Sequence, residues 1–490
     1  MAAGTLTFDL TWMDAHGIDD PAAAATWGGL KIAAVGGSGV PTVVTRLLDR
    51  HARTVREEVV GSTLPLAEWL ALSWPHLFDA RRLPPDADDE AEVYGWSRVH
   101  RWRYAGDGAA LPDATIFRED RSRCRFEWRR DGVSAADAFS RAIFLESGCL
   151  RLATDEVRRV LSAFVGTVIS RLMAVCPEDP RAADLRDAWR AATDKRDPRH
   201  ADQVAAARIG LFWPDLDDAG RQRVRRLTGR ADNPVVEALV DSWDSRRDDE
   251  YLRFADSTWG RLQGAQPLVP DWRELVTRLR AASARLPAGA LPWEQGSEAA
   301  KLVRLELGWS DDRGPTRAEL DRSQAAVQAT VELPMVDSLV GWAPGRTPVR
   351  LVRPLRRPLQ RRFAQARDLY ALLLGGDPDR ACVTVFSRRV AGANSVANSF
   401  AAELLAPTEE LRRQFGPGCP VVDEQEVESL AQEMDAPYYC VVHQLANNRI
   451  ARIGGVDPDF PPSSDGELSC GIDSLGDHDL RSRGRRVLLD

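Results

Sequence analysis

Between Gly345 and Arg367 the chain carries eight arginines (Arg346, Arg350, Arg353, Arg356, Arg357, Arg361, Arg362 and Arg367) and not one acidic residue. A guanidinium is a planar fork of donors that matches phosphate and carboxylate oxygens. A run of this kind therefore reads as a local positive surface for phosphates, nucleic acid or an acidic protein segment. The simpler account is a solvated loop whose arginines pair with acidic neighbours. No aromatic residue precedes Phe363 in the stretch, so stacking against single-stranded bases is not supported. Asp368 follows immediately, and its carboxylate would serve as a base only where a metal holds a water for it to activate.

Two helices must position these groups. RRFAQARDLYALLLG, from Arg361 to Gly375, places Phe363, Ala366, Tyr370 and Leu373 on one side. A second helix is expected from near Ser395 in SVANSFAAELLAPTEELRRQF, with a short strand-like segment between the two. Upstream, VDSLVGWA and PVRLVRPL read as strands on either side of a turn at Gly345, and Pro348, Pro354 and Pro358 break up helix there. Downstream, VVDEQEVESLAQEMDAPYYCVVHQLANNRIA reads as helix, turn, helix, with Val427, Leu430 and Ala431 packing the first and Asp435–Pro437 turning the chain. The second helix of such a pair can enter a DNA major groove. Here it offers only His443, Gln444, Asn447, Asn448 and Arg449 as polar readers, and Asp423, Glu424, Glu426, Glu428 and Glu433 of the first helix would face phosphates unfavourably. The pair is expected to be a packing element, with His443 a partly buried hydrogen-bonding residue rather than a ligand.

The helix at Arg361 and the ANSFAAELLAP segment together resemble the core of the ImmA/IrrE family of zinc metallopeptidases, in which one helix typically reads RFTLAHELGHLLL and a later one ANxFAAELLMP. The resemblance runs from Val331 to Ile450. In an active member an HExxH helix holds zinc with two histidines four residues apart, and the glutamate polarises the metal-bound water. Alignment on the flanking residues puts Arg367, Asp368 and Ala371 at those positions. A guanidinium has no lone pair to give a metal, and alanine has no ligand atom. The acidic third ligand is missing from Ala391–Asn398, and Glu403 matches a position read as structural. The resemblance thus implies a degenerate, zincin-like fold with no metal and no cofactor. Relatives act beside DNA-binding repressors, mobile elements and stress responses. The implied role is regulatory, through a protein partner, in repressor control, stress response or phage defence. Two alternatives stand beside it: a hydrolase or peptidase with an altered site, using Asp368 with Arg367 or residues from the N-terminal domain, and a nucleic-acid-binding regulator using Arg346–Arg367.

The remainder of the chain reads as an α+β protein, predominantly helical. TLTFDLTW and RCRFEWRR alternate apolar and polar residues, the mark of half-buried strands. GGSG at Gly36–Gly39 lacks the lysine of a phosphate loop and the third glycine of a dinucleotide fingerprint, so a hairpin turn is expected. Leu66, Trp69, Leu70 and Trp74 recur at helical spacing and read as core. The organisation expected is an N-terminal α/β module over 1–152, a helical region over 153–330, the ImmA/IrrE-like domain over 331–454, and a disordered tail over 455–490 rich in Pro, Ser, Gly and Asp. Seven scattered cysteines with no CxxC pair argue against a disulfide framework or zinc knuckle. No apolar run suits a membrane span and the N-terminus lacks a signal-peptide pattern, so a cytoplasmic setting is expected. A net charge of −8 gives no global drive towards nucleic acid.

Overall fold

The computed structural model describes residues 4–36, 39–80, 90–105, 111–119, 122–131, 142–230, 232–244, 246–284, 292–310, 313–323, 327–331, 333, 335–354, 357–387, 393–416 and 418–454. The tail expected to be disordered lies outside them. The chain divides into two compact units, residues 1–231 with 243–246, and residues 232–242 with 247–490.

In the first unit, β1 (Thr5–Trp12) pairs antiparallel along its whole length with β2 (Trp27–Val35), the short helix α1 (Pro21–Ala25) lying between them in sequence. Gly39 N donates to Gly36 O, Gly39 takes a positive φ of 74°, and β3 (Pro41–Val43) returns antiparallel to β2, so the glycine run is a hairpin turn. β4 (Leu47–Asp49), β5 (Thr54–Arg56) and β6 (Val59–Ser62) follow, then helices α2 (Leu64–Phe78) and α3 (Glu90–His100). β7 (Asp113–Arg118), β8 (Arg123–Arg129), β9 (Ala142–Phe144) and β10 (Gly148–Ala153) complete the strands, with sheet order β10-β8-β7 for one sheet and β5-β4-β9 for another. The alternation read in RCRFEWRR puts Cys124, Phe126 and Trp128 inward. Leu66, Trp69, Leu70 and Trp74 of α2 are core, not pocket lining, and join Val157, Leu161, Phe164 and Val168 of α4 (Thr154–Val175) in one cluster. This sharing of a core is why the boundary expected at 152/153 falls inside the unit. Helices α5 (Pro180–Thr193), α6 (Pro198–Arg208) and α7 (Asp218–Thr228) close it, α7 being capped by Asp217, whose carboxylate accepts from Gly220 N at 2.7 Å.

The second unit begins with α8 (Pro234–Leu239), α9 (Asp248–Gln263), α10 (Pro270–Ser283), α11 (Pro292–Leu307) and α12 (Arg317–Ser323). A four-stranded sheet follows, made of β11 (Val327–Thr330), β12 (Val336–Trp342), β13 (Val349–Val352) and β14 (Cys382–Ser387) in the order β11-β13-β12-β14. The β12–β13 turn carries Gly345 at φ +69°, as its sequence position requires. Between β13 and β14 runs α13 (Pro358–Leu374), and after β14 comes α14 (Ala393–Leu405). Helix, strand, helix is therefore the observed order at the segment read as such. Pro358 opens α13 rather than interrupting it, since its missing N–H costs nothing in a first turn. α15 (Thr408–Phe415), the two-residue β15 (Val421–Val422), α16 (Glu424–Glu433), α17 (Tyr438–Asn447) and β16 (Arg452–Ile453) end the described chain.

The helical region expected over 153–330 is not one body: α4–α7 belong to the first unit and α8–α12 to the second. β11 joins the sheet ahead of Val331, and α11 packs on α14, with Ala299, Ala300 and Val303 in the same core as Ala397, Phe400, Ala401 and Leu404. Gly296 permits that approach. A Cβ there would lie 2.4 Å from Val396 O and 2.7 Å from Phe400 N, which are backbone atoms that cannot step aside. No helix among the described residues is long and apolar enough to cross a membrane. Gly296→Val is expected to lower unfolding stability by about 1–3 kcal/mol through overpacking. Gly61→Ala, where no atom lies within 4 Å of the added carbon, should cost far less; urea denaturation of both variants provides the comparison.

Candidate functional site

Helix α13 is apolar or buried nearly all round, the pattern of a helix enclosed by protein rather than lying on its surface. At its middle stand Arg367, Asp368 and Ala371, all buried. Asp368 is 0% exposed. Its Oδ1 accepts from Ser338 Oγ at 2.6 Å and its Oδ2 from Arg350 Nε at 2.5 Å. Arg350 is itself only 2% exposed, so this is a fully interior ion pair.

The sheet explains how the partners meet. Ser338 and Val340 of β12 share a face, and Val340 is opposite Arg350 of β13 while Ser338 is opposite Phe386 of β14. Ser338, Arg350 and Phe386 therefore point to the same side, towards α13. Arg367 completes the cluster. Its Nη2 donates to Ser338 Oγ at 3.1 Å, its guanidinium carbon lies 4.4 Å from the Phe386 ring centre, and Nη1 is 3.9 Å from Asp337 Oδ2. A register shift between Val336 and Ser338 breaks the alternation at Asp337 and turns its carboxylate towards that arginine. Two guanidinium and two carboxylate groups thus balance in charge within one buried patch. A general base must come within hydrogen-bond reach of the proton it takes. Asp368 has both oxygens engaged and no exposed surface, so serving as a base would require this cluster to open.

The arginine run divides. Arg350, Arg362 and Arg367 are buried, Arg346, Arg357 and Arg361 are exposed, Arg353 is half-buried, and Arg356 lies outside the described residues. Arg346 donates to Ala265 O at 3.3 Å. Arg362 is an internal staple: it donates to Pro315 O and, at 2.5 Å, to Asp435 O, and it pairs with the Asp435 carboxylate. Burial pulls the pKa of its guanidinium below the usual arginine value, with Asp435 opposing. It holds α13 against the α16–α17 turn, where Asp435 takes a positive φ of 49°. Arg350, Arg362 and Arg367 thus satisfy interior carboxylates and carbonyls, while Arg346, Arg357 and Arg361 are the exposed ones among the described residues of the run.

A second buried pair was not legible as such. Glu403 of α14, 1% exposed, accepts from Arg304 Nη2 of α11 at 3.1 Å, from the Thr408 hydroxyl, and from Gln444 Nε2 of α17 at 2.8 Å. Arg304 Nη1 also donates to the Glu403 carbonyl at 2.7 Å. The signal in the sequence is that Arg304 occupies the apolar stripe of α11 beside Ala300 and Val303, where an arginine needs an acidic partner. Gln444, counted among the polar readers, is thereby committed to the interior, and Asn448 Nδ2 bonds to it at 3.1 Å. His443 is half-buried, while Asn447 and Arg449 remain exposed. Among the described residues no three His, Cys, Asp or Glu side chains converge as a metal ion would need.

Asp368→Asn is expected to cost about 3–5 kcal/mol by leaving Arg350 buried without its counter-charge. The double variant Arg350→Met with Asp368→Asn should cost less than the two single variants summed, giving a coupling of about 2 kcal/mol in a urea-denaturation cycle; additive costs would mean that the two groups are not paired. Compared with models of protein families and with curated proteins, the chain matches neither a family model nor a curated relative.

Proposed function

We propose that this chain is a non-catalytic regulatory protein that binds a protein partner and is built on a degenerate ImmA/IrrE-type metallopeptidase domain. The observation that carries the reading is the Arg350–Asp368 pair at the heart of α13. An active zincin site keeps an open coordination position for water and substrate. Here the corresponding helix positions belong to a closed cluster of Asp368, Arg350, Arg367 and Ser338, whose charge is balanced by Asp337. The motif ANSFAAELLAP and the sequence of α13, β14 and α14 support the architectural half of the reading. A partner role in repressor control, stress response or phage defence rests on the resemblance, and fold alone does not carry it.

Burial also bears on whether the motif could be restored in place. Ala371 is 3% exposed among core side chains, so a histidine there would overpack by several heavy atoms. Arg367 is held by Ser338, stacked on Phe386 and paired with Asp337, and its removal would break all three contacts. Loss of the peptidase motif and gain of the ion pair are in this view one structural exchange.

Two measurements test the proposal together. Protein equilibrated with excess zinc and dialysed is expected to retain far less than one metal per chain and to leave peptide substrates uncleaved. Isolated from its own cells, it is expected to bring down a second polypeptide in fixed ratio. One tightly held zinc with peptide cleavage that Asp368→Asn abolishes would contradict it, as would recovery of the chain alone under every condition.

A further inference from the structure

An outward-facing positive feature lies in the first unit, on α7. Residues 218–230 contain Arg221, Arg223, Arg225, Arg226 and Arg230 against a single carboxylate, Asp218. Val224 and Leu227 are buried and fix which side of the helix faces the core. Arg225 and Arg226 then fall on the exposed arc with Gln222, while Arg221 flanks it, half-buried, with its guanidinium 5.6 Å from the Trp213 ring. Arg225 pairs with Asp202 at 2.9 Å but keeps 61% of its side chain exposed. An exposed pair of that kind is worth at most about 1 kcal/mol and gives way readily to a stronger anion.

We propose that the outer arc of α7 docks the phosphate backbone of duplex nucleic acid. Charge density decides between the candidate partners. The 11-residue helix is about 16 Å long, a length over which a duplex presents roughly ten phosphate charges at one per ~1.7 Å. An extended acidic peptide offers at most one carboxylate per ~3.3 Å, about half as many. A lipid surface is a poorer fit, because Val224 and Leu227, the large apolar residues of α7, are buried in the protein and cannot enter a bilayer interface. All the cations are arginines, whose forked donors bind phosphate oxygens in pairs, and Gln222 adds an amide in the centre of the arc.

The test is fluorescence anisotropy of the full chain with a labelled duplex of about 20 base pairs, at about 50 and 200 mM salt. Binding is expected at the lower salt. Arg225→Gln with Arg226→Gln should weaken it about tenfold or more and reduce the slope of log affinity against log salt by about 1.8, two phosphate contacts at ~0.9 each. Arg225→Lys with Arg226→Lys keeps both charges and should retain the wild-type slope, which separates loss of contact from loss of fold. Absence of binding at about 50 mM salt, an unchanged slope in the glutamine variant, or competition by polyglutamate as effective as by unlabelled duplex would each overturn the proposal.

Discussion

A carboxylate taken wholly out of water must be met by cations and donors or it will not stay charged, and the second unit is arranged around meeting one. Asp368 sits at the centre of α13, and the atoms that satisfy it come from β12 and β13. That requirement fixes the rotation of the helix on the sheet and the face from which Ser338 and Arg350 project. It also explains the irregularity in β12, which supplies Asp337 as a second negative group for Arg367. Replacing such a pair with hydrophobic residues is often harmless to stability, whereas breaking it is not. The interaction is therefore best understood as selecting one arrangement of helix on sheet.

Arg304 and Glu403 repeat the device on the other side of the core, where α11 crosses α14. Through Thr408 and Gln444 the same carboxylate reaches α15 and α17, so four helices converge on one side chain. Arg362 adds a third tie, from α13 to the turn between α16 and α17. Taken together, these contacts make the terminal helix pair an integral part of the unit's core. They also account for why the acidic outer face of α16 and the buried Gln444 fit a packing role better than a groove-reading one.

Much of the architecture was readable in the residues. Alternation in TLTFDLTW and RCRFEWRR and the tryptophan spacing of α2 each reflect a local rule that tertiary packing did not override. The helix–strand–helix order around ANSFAAELLAP was equally legible. What was not legible is the direction of charged side chains. Arg350 lies in a four-residue strand, and only the pairing register shows that it faces α13. Arg362 and Arg361 are adjacent in sequence, yet one is buried and the other exposed, a distinction that depends on helix rotation rather than composition. The unit boundary was missed for a related reason. α4 and α11 look alike as amphipathic helices, and which core each joins is decided by long-range packing.

The central claim is that the middle of α13 holds a closed ion pair rather than an open metal site. It is addressed most directly by NMR of chain labelled with 15N-arginine, following the Nε–H of Arg350. The account predicts a resonance protected from exchange with water, lost in Asp368→Asn and indifferent to added zinc. Rapid exchange of that proton, or a shift produced by stoichiometric zinc, would contradict it.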